Sequence, residues 1–354
     1  MTIRKTATVL ALLMLGTAMP IYAQQTPAQQ AASAARDAQL ALDKGYAQLA
    51  VTEEVLPLRA PAYTMGESEG VAKNAAGHIF VYSRTGHSGE VFGGTAAVLQ
   101  EWDENYKWVK EWMPDSYGAS FAHAVRIDTD QNVWVVDEGS NMIMQYAPNG
   151  DIIKVLGRKA EAADWQERFI ERKELIENRY PNGGQYTFNR PTDIAWSTNG
   201  DMYISDGYGN SRVIHMAKDG TWVKAVGTHG TGDGQFQIPH GIDVDKTTDT
   251  VYVADRNNNR IQVYDKDLNF KMYIKGIGAP WTVRVSPSYI YSGDGNTGKV
   301  YRIEKATGKV LGVAQTSLGF GQTGCLIHSL HVESDNVLYR GSCTRWDVSK
   351  ITFK

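Results

Sequence analysis

The sequence predicts an all-β fold, a six-bladed β-propeller, on three observations. Six stretches repeat one plan: GVAKNAAGHIFVYSRTG, HAVRIDTDQNVWVVDEGSNMIMQYAPNGDIIKVLG, TDIAWSTNGDMYISDGYGNSRVIHMAKDGTWVKAVG, HGIDVDKTTDTVYVADRNNNRIQVYDKDLNFKMYI, WTVRVSPSYIYSGDGNTGKVYRIEKATGKVLGVA and HSLHVESDNVLYRGSCTRWDVSKITFK. Repeats of this length mark propellers and solenoids. Within each unit apolar residues alternate with period two between Asp/Asn/Gly turns, the pattern of four short antiparallel strands. No linker interrupts the series, and a 42% apolar composition supplies the core of one large domain.

The elements follow in chain order. MTIRKTATVLALLMLGTAMPIYAQQ carries two cations, Arg4 and Lys5, an apolar run from Val9 to Leu15 and a small-residue ending. It reads as a signal peptide over 1–23, cleaved after Ala23 and too short to span a bilayer. The expected location is periplasmic or secreted, with no membrane insertion after cleavage. Residues 24–50, rich in Ala and Gln and poor in aromatics, are expected to form a flexible or loosely helical tether. The propeller occupies 51–354. A four-stranded sheet cannot bury both faces alone, so the blades must pack in a closed ring, and VTEEVLPLRAPAYT is placed to lend a closing strand to the short last unit. Between blades two and three, residues 158–187 form an insertion in which Trp165, Phe169 and Ile176 recur at helical spacing, predicting an amphipathic surface helix.

Charge narrows the partners. Lys plus Arg number 36 against 39 Asp plus Glu, a net charge of -3, which offers nothing to nucleic acid or an anionic membrane. The chain is expected to act as a monomer on a small-molecule or peptide substrate. Its two cysteines, Cys325 and Cys343, would form a disulfide in an oxidising compartment if strands of the last unit bring them together.

The first strand of a blade lies innermost, and the residue where it begins points to the axis. That position holds Glu69, His123, Thr192, His240, Trp281 and His328 in blades one to six. Alternate blades of a six-fold ring are related by about 120°, so three imidazoles at one depth converge on one axial point. Three neutral nitrogens with a fourth position open are what a catalytic zinc requires. The other histidines, His78, His87, His215, His229 and His331, have no such relation, and His331, three residues beyond His328, is expected to turn to the opposite face of its strand. Glu69 fits a further ligand, an acceptor behind the ligands, or a solvated acid. Trp281 is expected to wall the channel.

The repeats resemble NHL repeats, and YSRTGH, FAHAVRID, DGYGNSR, IPHGIDVD with VADRNNNRIQV, and CLIHSL together resemble the catalytic core of the peptidyl-α-hydroxyglycine α-amidating lyase family over about residues 64–354. The resemblance implies zinc held by His123, His240 and His328, with Tyr208 and Arg84 as catalytic residues. It implies cleavage of the C–N bond of a carbinolamide to give an amide and glyoxylate. Tyr208 would accept the hydroxyl proton, with its pKa lowered from the usual ~10 by the metal and by Arg84. It further implies calcium near the axis, held by backbone carbonyls and a carboxylate after the third histidine. Here Ser329 stands at that place, which leaves the carbonyls of Val71 and Val125, and Leu326 replaces a methionine of the family pattern.

Structural readings stand beside these. Arg84 occupies the place held by Asp137, Asp206 and Asp255 in the next three units, where aspartates stabilise turns, while Arg212 and Arg260 read as contacts between blades. Two other function classes are a non-enzymatic NHL propeller that binds a protein or glycan through its loops, and a lactonase-type hydrolase. The latter needs several axial carboxylates, for which Glu69 alone is available.

Overall fold

The computed structural model describes residues 27–61, 65–84, 97–114, 116–159, 184–316 and 324–354. The expected signal peptide, the core of the expected insertion helix with Trp165, Phe169 and Ile176, and His87 lie outside the described residues. The chain divides into two compact units, Met1–Ala38 and Gln39–Lys354. Where a tether is expected over 24–50, a regular helix runs from Pro27 to Gly45. From Gln39 onward that helix belongs to the second unit: Asp43 is buried, pairs with Lys299 and accepts a hydrogen bond from the Tyr301 hydroxyl at 2.9 Å. Ala and Gln favour helix, and one buried carboxylate is enough to fix its end. No helix among the described residues is long and apolar enough to cross a membrane.

The second unit is the six-bladed propeller. Blade one consists of Glu67–Lys73, Ile79–Arg84, Ala97–Trp102 and Trp108–Trp112, and blade two of Ala122–Ile127, Val133–Asp137, Met142–Tyr146 and Ile152–Gly157. Pro191–Trp196, Met202–Asp206, Arg212–Met216 and Trp222–Val226 make blade three, and Pro239–Asp245, Thr250–Asp255, Arg260–Tyr264 and Phe270–Lys275 make blade four. Blade five holds Pro280–Val285, Tyr289–Asp294, Lys299–Glu304 and Val310–Gln315. Blade six combines Ser329–Ser334, Val337–Ser342 and Asp347–Phe353 with Val51–Val55, which pairs antiparallel with the last strand from Val51↔Phe353 to Val55↔Ser349. The closing strand thus comes from the segment the sequence offers for it.

Burial explains why the ring closes. Hydrophobic clusters fill the spaces between successive blades, and one of them, with Val71, Val81 and Trp102 facing Tyr339 and Val348, seals blade one to blade six. Inner strands approach closely at the axis: a Cβ on Gly70 of blade one would meet the Val125 nitrogen of blade two at 2.5 Å, which is why that position carries glycine. The clamp aspartates behave as read from sequence. Asp137 accepts from the Tyr82 hydroxyl and from the Ser120, Phe121 and Ser140 amides at 2.7–2.9 Å. Asp206 and Asp255 bind Arg212 and Arg260, six and five residues downstream, at 2.9 and 2.8 Å, so these arginines, expected as contacts between blades, pair with an aspartate of their own blade.

The closing strand is pinned by a buried pair, Glu53 with Arg340 at 3.0 Å, the arginine also meeting Asp347 at 3.0 Å. Removing Glu53 leaves Arg340 with Asp347 as its carboxylate partner, a smaller loss than that of a buried charge left wholly unpaired. Glu53→Ala is therefore expected to lower unfolding stability by about 2 kcal/mol in a denaturant titration, whereas Glu54→Ala on the exposed side of the strand shifts it by at most ~0.5 kcal/mol. Equal midpoints for the two would show that closure does not depend on the pair.

Candidate metal centre

The six axial positions share a local device. In blades one to five the inner strand has a register shift at that residue: between Ser68 and Gly70, Ala122 and Ala124, Pro191 and Asp193, Pro239 and Gly241, and Pro280 and Thr282. A bulge adds one residue to a strand and re-aims its side chain. Glu69, His123, Thr192, His240 and Trp281 are those extra residues. His328 stands one residue before its strand, tied to Gly341 by its own amide at 3.0 Å.

His123, His240 and His328 are buried, and their metal-capable atoms lie within 4.8 Å of one another. Each ring is oriented by the next blade. The His123 Nδ1–H donates to the Thr192 carbonyl at 2.6 Å, that of His240 to Trp281 at 2.6 Å, and that of His328 to Glu69 at 2.7 Å. A carbonyl can only accept, so each ring carries a proton on Nδ1 and turns Nε2 toward the cluster, the arrangement that metal-binding histidines use. Burial foremost, then neighbouring imidazoles and arginines, hold His123 and His240 well below the ordinary imidazole pKa. His123 Nε2 is buried with no hydrogen-bond partner. Three imidazole nitrogens converging on one point, one of them orphaned, can hold a metal ion.

Glu69 is fully buried, with one oxygen 2.8 Å from His328 Nε2 and the other 3.0 Å from Arg84 Nη1. Burial would raise its carboxyl, but Arg84 and His328 outweigh that and hold it below the usual range. The solvated alternative for Glu69 is thereby excluded. Arg84 pairs across the sheet with Glu67 as Asp137 does with Ala122, so it does replace a clamp aspartate. Its guanidinium lies over the Phe121 ring and meets the Ala122 carbonyl, Glu67, Glu69 and, at 3.6 Å, Glu138.

Tyr208 enters the cluster from the turn after Asp206, its hydroxyl donating to His240 Nε2 at 3.0 Å. The cation in contact with that hydroxyl is Arg256, with Nη1 donating at 3.1 Å, and not Arg84, as the resemblance implies. Desolvation pushes the phenol up to about 12, against the pull of Arg256 and, more weakly, Arg84. Arg256 also stacks on Trp281, 4.5 Å from its ring centroid, and Trp281 stands 5.2 Å from the His240 ring as the expected wall. Sequence reading missed Arg256. Its signal was the place after each clamp aspartate, which holds Glu138, Gly207, Arg256 and Gly295 and so varies where the aspartate does not.

Three residues beyond the axial positions lies a second level of the axis. Arg126 binds Asp193 through Nε at 2.9 Å and the Ile242 carbonyl at 2.6 Å, while Arg284 binds Asp193 at 3.0 Å and the Leu330 and Val283 carbonyls at 2.6 Å. Burial would raise Asp193, and the two arginines hold it below the usual range. Burial and the same arginines push His331 down to about 3. His331 is no member of the metal cluster, and it lies opposite Tyr339 in a regularly paired stretch of its strand.

Comparisons with known proteins fit this picture. An NHL repeat model matches residues 236–264. A probable peptidyl-alpha-hydroxyglycine alpha-amidating lyase of Caenorhabditis elegans is 26% identical over 334 residues, 86% of this chain and 88% of that protein. The peptidylglycine alpha-amidating monooxygenase of Rattus norvegicus is 31% identical over 153 residues, 41% of this chain but 14% of the longer protein. Among solved structures, a streptogramin B lyase superposes with a TM-score of 0.57 at 10% identity, covering 86% of this chain and 98% of that one, a likeness of fold.

The Tyr208 environment makes a prediction for the metal-free protein. The difference between wild type and Tyr208→Phe in an ultraviolet phenol titration should show no ionisation near the usual ~10. Arg256→Met, which removes the cation favouring the phenolate, should move the Tyr208 transition still higher. A transition at or below the ordinary value would contradict the burial assigned to this hydroxyl.

Proposed function

We propose that this chain, an NHL-repeat six-bladed β-propeller with a metal-capable histidine cluster on its axis, is a zinc-dependent lyase of the amidating type. The observation that carries the reading is the set of three buried imidazoles whose protons are fixed on Nδ1 by carbonyls of the next blade. A donor set of three neutral nitrogens suits zinc and leaves room for a substrate oxygen. Zinc bound there would supply Lewis acidity to an oxygen of the substrate.

The remaining steps belong to the chain. Tyr208 Oη, as phenolate, accepts the hydroxyl proton of a carbinolamide; the O–H electrons form the carbonyl of glyoxylate, the C–N bond breaks with its electron pair going to nitrogen, and the proton taken up by Tyr208 passes to that nitrogen to give the amide. Arg256, in hydrogen-bond contact with Tyr208 Oη, stabilises the phenolate and presents the cation nearest the place of reaction. Arg84, already compensated by Glu67 and Glu69, orients the Glu69 carboxylate against His328. The Trp281 ring excludes water on one side.

The proposal counts one metal. A calcium ion at the second level would need backbone oxygens such as those of Val71 and Val125, but the Asp193 carboxylate and the carbonyls of Ile242, Val283 and Leu330 are already engaged there by Arg126 and Arg284. Delivery to the periplasm or beyond, after cleavage at Ala23, completes the reading.

The test is elemental analysis joined to turnover. Purified protein should carry near-stoichiometric zinc and no calcium, His123→Ala, His240→Ala and His328→Ala should each lose the zinc, and wild type should release glyoxylate from a peptidyl-α-hydroxyglycine. Tyr208→Phe should keep its metal and lose about 10²–10⁴-fold in kcat. Zinc-loaded wild type that releases no glyoxylate would overturn the reaction while leaving the metal centre standing.

A further inference from the structure

His328 reaches the cluster by a route that His123 and His240 do not share. Those two sit inside inner strands, with paired residues on both sides. The residues before His328 form a turn outside the sheet, and the described contacts that fix it converge on Cys325. A disulfide joins Cys325 to Cys343 with their Cα atoms 5.4 Å apart. The Cys325 carbonyl accepts from the Ser342 hydroxyl at 3.2 Å and from the Thr344 amide at 3.4 Å, and the Leu326 amide reaches Gly295 O at 2.8 Å. Cys325 itself holds φ at 53°, a left-handed conformation that a non-glycine residue keeps only when its surroundings impose it.

The other half of the bridge touches the site directly. Cys343 Sγ lies 3.4 Å from Glu69 Oε2, the oxygen that stands 2.8 Å from His328 Nε2. The carbonyl of the same Glu69 orients the His328 ring. One covalent link therefore braces both the turn that delivers the third histidine and the carboxylate packed against it.

We propose that the Cys325–Cys343 bridge is a working part of the metal centre, holding His328 and Glu69 in register so that metal affinity depends on the bridge being closed. The inference rests on the metal reading of the three histidines. With the bridge open, the turn before His328 gains conformational freedom that metal binding must then remove, and affinity falls. A phosphine opens it in a balanced step: phosphine, disulfide and water give the phosphine oxide and two thiols. Thiolates bind metals themselves, so the decisive variant is Cys325→Ala/Cys343→Ala, which has none.

The test compares oxidised wild type, phosphine-reduced wild type and the double variant, each checked for the native circular dichroism spectrum. Cobalt(II) and zinc affinities are measured by competition with a chromophoric chelator, and amide hydrogen exchange is followed in the metal-free proteins. The double variant should bind about 10–100-fold more weakly, the range found when partners behind metal ligands are removed. Exchange should accelerate at residues 326–330 and stay unchanged around His123 and His240. Affinity within about twofold of wild type together with unchanged exchange would overturn the proposal. If the variant does not fold, reduced wild type decides by exchange at the same amides. Oxidised wild type that takes up no metal would defeat the metal reading separately, while the exchange comparison still decides whether the bridge orders the His328 segment.

Discussion

Three hydrogen bonds between neighbouring blades, each from a histidine Nδ1 to a backbone carbonyl, decide what the axis of this propeller can hold. They run from blade two to three, four to five, and six to one, so the even blades supply imidazoles and the odd blades supply acceptors. Thr192 serves through its carbonyl; its hydroxyl donates within the backbone around Ser205 and Pro239. The arrangement depends on the bulge in the inner strands of blades one to five, which turns the axial side chain inward, and on the turn before the blade-six strand that delivers His328. It depends also on ring closure, because the third bond joins the last blade to the first. A slip in the closing strand Val51–Val55 would loosen the packing of blade six on blade one, and with it the His328–Glu69 contact.

Much of this was legible in the sequence for a physical reason: a repeat protein writes each structural position several times. The strand pattern, the clamp aspartates and the closing strand all follow from aligning the chain with itself, as do the three alternating histidines. What could not be read was what happens between repeats. The Nδ1 partners are backbone carbonyls, which carry no residue signature. Arg84 stands in a clamp position and Arg256 directly after one, and their different fates are set by their neighbours in space: Glu67, Glu69 and Glu138 surround Arg84, while Tyr208 and Trp281 receive Arg256. The helix Pro27–Gly45 hid in a composition that suits a tether equally well until Asp43 finds Lys299 and Tyr301.

Charge along the axis is layered. At the upper level neutral imidazoles stand beside one buried carboxylate, Glu69, and the phenol of Tyr208. One level down, Arg126 and Arg284 close on Asp193 and on inner-strand carbonyls. The lower pair satisfies polar groups that would otherwise be orphaned where six strands converge, and its two charges are matched by Asp193 and Asp243. The upper level retains an unpartnered nitrogen, His123 Nε2. A single metal beside a tyrosine and an arginine is the chemistry that this layering favours.

The central claim is that His123, His240 and His328 together present three neutral nitrogens to one ion. X-ray absorption at the metal edge of zinc-reconstituted, oxidised protein tests it most directly. The account predicts a first coordination sphere of three imidazole nitrogens at about 2.0–2.1 Å with the remainder oxygen. A sphere dominated by oxygen, or one containing sulfur at about 2.3 Å, would contradict it.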